Sequence, residues 1–99
     1  MLKKLNFSIG VFDELSDNIK LKVNEESQKC KIYGVGVYTD RFIIDHLMTY
    51  PTNTLEERIK NVKALNGVDF VFPVDTSSPG KVKDIIENAY DEYLHKENS

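Results

Sequence analysis

Asp13, Asp40 and Asp75 each follow a short apolar run, and two of them have a threonine beside them, in Thr39-Asp40 and Asp75-Thr76. Carboxylates and hydroxyls at such points can orient a ligand, because open parallel sheets bind ligands beyond the carboxyl ends of their strands. Asp13 reads equally well as a ligand-orienting group or as a cap for the segment after it. Thr39 and Asp40 read first as a strand-end turn or helix cap, and second as ligand contacts. Arg58 and Arg41 are the only arginines, and the planar guanidinium is the usual bidentate partner of phosphate. Arg58 can therefore contact a nucleotide, or it can pair with Asp13, Asp40 or Glu57. His46 and His95 have no second His, Cys or carboxylate at metal-ligand spacing, so both read as surface or packing residues and no metal site is expected. Cys30 stands alone with nothing to lower its pKa, which makes it an inert thiol. Gly34-x-Gly36 lies within a strand pattern and not in a phosphate-cradling loop.

Three strands must carry these groups. Leu5 to Phe12 alternates apolar with small or polar residues and delivers Asp13. Lys31 to Tyr38 delivers Thr39-Asp40, and its two glycines allow close approach by a neighbour. Val68 to Val74 delivers Asp75, and Pro73 limits its pairing, so the strand lies at a sheet edge or terminates there. Thr54-Leu55-Glu56-Glu57 is a capping box that opens a helix with Ile59, Val62 and Leu65 on one face, and Gly67 suits a left-handed stop. Ser78-Pro79 opens a last helix with Val82, Ile85, Ile86, Ala89, Tyr90, Tyr93 and Leu94 in one apolar stripe, read as core packing ahead of a partner surface. A shorter helix spans Arg41 to Met48. Residues 19–23 fit a strand or a helix equally well by local pattern. The resulting fold class is α/β: a three-layer, Rossmann-like parallel sheet in βαβαβα order with right-handed crossovers.

Four ordered blocks then resemble the cytidylyltransferase family: Gly10-Val11-Phe12-Asp13, Gly34 to Asp40, Thr54-Leu55-Glu56-Glu57-Arg58, and Val68-Asp69-Phe70-Val71. The resemblance spans about Leu5 to Val74 and implies a shortened nucleotidyltransferase fold. Members of that family activate glycerol 3-phosphate, phosphoethanolamine, phosphocholine and related alcohol phosphates with CTP. Their Gly-x-Phe-Asp is followed after two residues by His-x-Gly-His, whose histidines stabilise charge developing in phosphoryl transfer. The corresponding residues here are Ser16-Asp17-Asn18-Ile19. Ser16 and Asn18 can donate hydrogen bonds but supply no cation, and Asp17 adds a negative charge. The family's lysine has no counterpart in His46 to Pro51, and its later arginines correspond to Asn66 and Asp75. Arg58 is the basic family position retained. The hydroxyls and helix start at Thr76 to Lys81 could hold an anion.

What the resemblance implies is thus a degenerate cytidylyltransferase-like domain, catalytically inactive, serving as a nucleotide-binding or assembly module. Its nucleotide-binding candidates are Gly10, Phe12, Asp13, Ser16, Asn18, Thr39, Arg58 and Lys81, with no catalytic residue. Two alternatives stand beside it: a divergent active enzyme transferring CMP from CTP to an alcohol phosphate, with magnesium as its cofactor, and an interaction protein with no small ligand. The family's sheet order leaves the first strand with an unpaired edge, so the expected partner is a second copy or a full-length relative. The 99 residues suit one domain spanning 1–99. A net charge of −3 argues against nucleic acid. No apolar run reaches the roughly 20 residues of a membrane helix, and the first residues do not form a signal peptide. A cytoplasmic location is expected.

Overall fold

The computed structural model describes residues 2–97. Its elements run β1 (Lys3–Gly10), α1 (Asp17–Ser27), β2 (Cys30–Tyr38), α2 (Asp40–Leu47), α3 (Leu55–Lys63), β3 (Phe70–Val74) and α4 (Pro79–Glu97). The strands form a parallel sheet in the order β1-β2-β3. Pro73 lies on an edge strand, as its missing N–H requires. This is the Rossmann-like α/β arrangement expected from the alternating pattern.

Strand periodicity divides the core into two layers. Tyr33, Val35 and Val37 face Val23 of α1 and Val62 of α3. Phe70, Phe72 and Val74 face Ile86 of α4, with Val82, Ile85, Ala89, Tyr90 and Tyr93 packed around them. The apolar stripe of α4 is therefore core, as read. Gly34 and Gly36 stand opposite Phe70 and Phe72 in the β2–β3 register. A Cβ at Gly34 would run into the Phe70 ring, and one at Gly36 would come within 2.8 Å of both Phe72 and Val74. The two glycines are thus the floor on which the β3 aromatic rings lie.

The structure differs from the sequence pattern at several boundaries. β1 stops at Gly10, two residues early, because Phe12 adopts φ +52°, a left-handed conformation no strand can carry. The ambiguous 19–23 stretch is helical, within α1, whose N-cap is Ser16. α3 ends at Lys63, so Leu65 lies past it in a turn closed by the Leu65 N–H on the Val62 carbonyl. Gly67, at φ +93°, ends that turn and not the helix, and any side chain there would strike Ser27. α2 closes at Leu47 with Met48 as its left-handed cap.

Replacing Gly36 by alanine should cost about 1–3 kcal/mol through overpacking. Urea denaturation measures this, and an unchanged midpoint would show that the Phe72 ring does not depend on the glycine.

Candidate functional site

The carboxyl ends of β1 and β2 meet over one side chain. Arg58, in the first turns of α3, is fully buried, and all three of its nitrogens donate. Nε reaches the carbonyl of Asn53 at 3.1 Å, and Nη1 reaches the carbonyls of Val11 at 2.9 Å and Tyr38 at 2.7 Å. Nη2 makes a short ion pair with Asp40. The same Asp40 accepts from the Leu55 N–H at 3.4 Å, which ties the start of α2 to the start of α3. Of the two roles open to Arg58 on sequence, its geometry is that of the ion pair, and its guanidinium reaches no solvent.

Asp13 forms the second half of the network. Its carboxylate accepts from the N–H groups of Thr52 at 2.7 Å and Asn53 at 2.8 Å, while Asn53 Nδ2 donates back to the Asp13 carbonyl at 2.8 Å. Asp13 thus anchors the α2–α3 connection and does not cap α1. These two backbone donors, helped by the nearby Arg58 charge, hold its carboxyl below the ordinary 3.8, against a smaller opposing effect of burial. Phe12, between two tethered neighbours, is held in its left-handed conformation at an expected cost of about 1–3 kcal/mol. Its ring covers Gly10, where a Cβ would meet it at 3.1 Å.

The remaining candidates lie apart from this network. Ser16 caps α1 by accepting from the Ile19 N–H at 3.3 Å, and Asn18 is exposed in its first turn. Thr39 caps α2 by accepting from Phe42 at 3.1 Å, so the cap reading of this residue is the one realised. Lys81 is exposed in the first turn of α4. Each of α1, α2 and α3 carries a hydroxyl N-cap and an acidic first turn. Their positive dipole ends are thereby already satisfied by the chain itself. The first turn of α4 has no acidic residue.

A CTP–magnesium complex needs cations against its phosphates and carboxylates or hydroxyls free to meet the metal. The residues present do not fit it. Arg58 is closed off, Asp13 is committed to Thr52 and Asn53, and Asp17 and Asp75 add negative charge at helix starts or strand ends. Among the described residues no group of three His, Cys, Asp or Glu side chains could hold a metal ion. Cys30 is buried, and desolvation pushes its thiol pKa up. His46 stacks on Phe42, which stacks on Tyr38, with centroids 4.5 and 4.4 Å apart. It is exposed and stacks at the surface.

Two contributors escaped the sequence reading. Asn53 joins Asp13 to Arg58, and nothing in its local pattern marks it. The Tyr33 hydroxyl donates to Ser8 at 2.6 Å across the β1–β2 pair, a pairing visible only once the strand register is known.

Arg58→Met should lose about 3 kcal/mol or more, since three carbonyls lose their donor at about 1–3 kcal/mol each when buried. A loss below about 1 kcal/mol in urea denaturation would contradict this. Asp13 has a folded-state pKa below its unfolded value, so its contribution is full above 3.8 and disappears as pH falls through the folded value. Asp13→Asn should therefore be less stable than the parent at neutral pH, with the gap closing in acid. A gap that persists at low pH would show that the charge of Asp13 is irrelevant.

No family model matches this chain, and no curated protein matches it significantly. Among solved structures, the chain is similar to a lipopolysaccharide core biosynthesis protein from Thermoplasma volcanium GSS1, with a TM-score of 0.72 at 19% identity. The match covers 86% of this chain and 69% of that one. Likeness at that identity is a statement about fold, and the fold is the Rossmann-like α/β sheet described above.

Proposed function

We propose that this chain is a cytidylyltransferase-like domain that has lost phosphoryl-transfer chemistry and serves as an assembly module. The observation that carries the reading is Arg58. It is the one basic residue kept from the resembled family's pattern, and here it is buried against Val11, Tyr38, Asn53 and Asp40. Transferring a nucleotidyl group is chiefly a matter of positioning and stabilising negative charge. A strand-end surface rich in carboxylates, with its arginine withdrawn into the core, opposes that charge. The similarity in fold to a biosynthesis protein supports the ancestry this reading assumes.

The first turn of α4, with Lys81 and no acidic neighbour in that turn, is where any residual phosphate affinity would reside. A thermal-shift titration with CTP, with and without magnesium, decides the matter, because a ligand that binds only the folded state must raise the melting temperature. No shift is expected at millimolar CTP. A magnesium-dependent rise abolished by Lys81→Glu would replace the assembly reading with nucleotide binding. CMP transfer to an alcohol phosphate above a blank would overturn both.

A further inference from the structure

Among the described residues, β1 has a hydrogen-bonded neighbour on one side alone. The Tyr33 N–H donates to the Asp69 carboxylate, the Tyr33 carbonyl accepts from the Asp69 N–H, and the Thr39 N–H donates to the Val74 carbonyl, so odd-numbered residues of β2 from Tyr33 on face β3 and even-numbered ones face β1. In a parallel ladder each residue sends its N–H and C=O to the same side, and the side alternates along the strand. In the β1–β2 register Asn6, Ser8 and Gly10 therefore bond to β2, while Leu5, Phe7 and Ile9 direct theirs to the open edge. An eight-residue unpaired edge is a template for another strand. Leu5 and Ile9 pack into the layer under α4. Phe7 shares their face but is 45% exposed, and it borders an apolar groove of about 400 Å³ formed with Pro79, Val82 and Ile86 of α4.

We propose that β1 pairs antiparallel with the β1 of a second copy of this chain, about a two-fold axis between the two Phe7 residues. One six-stranded sheet results. In this register Leu5 faces the partner's Ile9 and Phe7 faces the partner's Phe7, so the outward N–H and C=O groups of Leu5, Phe7 and Ile9 find mates. Phe7 meets the partner's Phe7 at a hydrogen-bonded position, where the two residues exchange both N–H···O bonds and their side chains share one face. Leu5 meets the partner's Ile9, so the apolar row complements itself, as a two-fold interface requires. Charge selects the same direction. Lys3 and Lys4 begin the strand, and Asp13, Glu14 and Asp17 follow its end. Antiparallel pairing brings the basic end of each copy to the acidic end of the other, whereas parallel pairing would set lysine against lysine.

This pairing names the partner for the assembly reading and rests on that reading only for its purpose, since a chain that bound CTP could dimerise through the same edge. Light scattering on the purified chain should give twice the 11.4 kDa chain mass at micromolar concentration, and a monomer would overturn the proposal. Phe7→Pro removes the outward N–H at the axis, at a side chain that is 45% exposed. It should shift the equilibrium to monomer while leaving the circular dichroism and melting of the fold in place, and an unaffected dimer would exclude edge pairing. Cys30 is buried, so Phe7→Cys and Lys4→Cys each create one exposed thiol. Under mild oxidation Phe7→Cys should cross-link to a covalent dimer and Lys4→Cys should not. Equal cross-linking of both would mean a parallel arrangement, and no cross-linking of Phe7→Cys would exclude this register.

Discussion

A guanidinium removed from water must find acceptors for its N–H groups, and Arg58 finds four on three separate stretches of chain. Val11 follows β1, Tyr38 ends β2, Asp40 begins α2, and Asn53 precedes α3. Burying a charge without partners costs several kcal/mol, so the fold that brings these acceptors together is the one in which Arg58 can be buried. The strand ends are in this way locked to one another from the α3 side. Asp13 completes the lock by gripping the loop that carries Asn53, and the left-handed Phe12 is trapped between two fixed neighbours.

That lock has a functional consequence. The carboxyl edge of a parallel sheet is where a Rossmann-like fold places its ligands, and here the polar groups of that edge are largely bonded to each other. The starts of α1, α2 and α3 carry their own hydroxyl caps and acidic residues. Among the described residues the β1 edge, at the opposite side of the sheet from the short, Pro73-bearing edge of β3, is unpaired over eight residues. The proposed assembly role draws on this arrangement, a ligand edge committed internally and a sheet edge left open.

Fold class was legible because it rests on local signals. Alternation in β1 and β2, the Thr54 capping box and the α4 stripe each lie within one short segment, and the structure carries all of them. Pro73 placed β3 at an edge for the same reason: a missing N–H is a local fact. The site was less legible because its bonds are long-range. Asp13 reaches Thr52 and Asn53 from 39 and 40 residues away, and no local pattern separates that role from helix capping. The burial of Arg58 depends on carbonyls, which every residue has and no sequence motif displays. Gly34 and Gly36 were recognised as permitting close approach, but the occupant of that space, the rings of Phe70 and Phe72, required the β2–β3 register. The early end of β1 at Gly10 had no sequence signal, since a positive φ at phenylalanine is forced by tertiary tethers and not by its own preference.

The most direct measurement is of the Arg58 guanidinium itself. In a nitrogen-15 NMR spectrum the Arg58 Nε–H can be compared with that of Arg41, which is exposed and paired only with Asp45. Arg58 should show slow hydrogen exchange, and its resonance should stay in place when CTP and magnesium are added. Rapid exchange equal to that of Arg41, or a shift of the Arg58 signal on adding the nucleotide, would mean that the side chain is available to phosphate, and the structural role assigned to it here would be wrong.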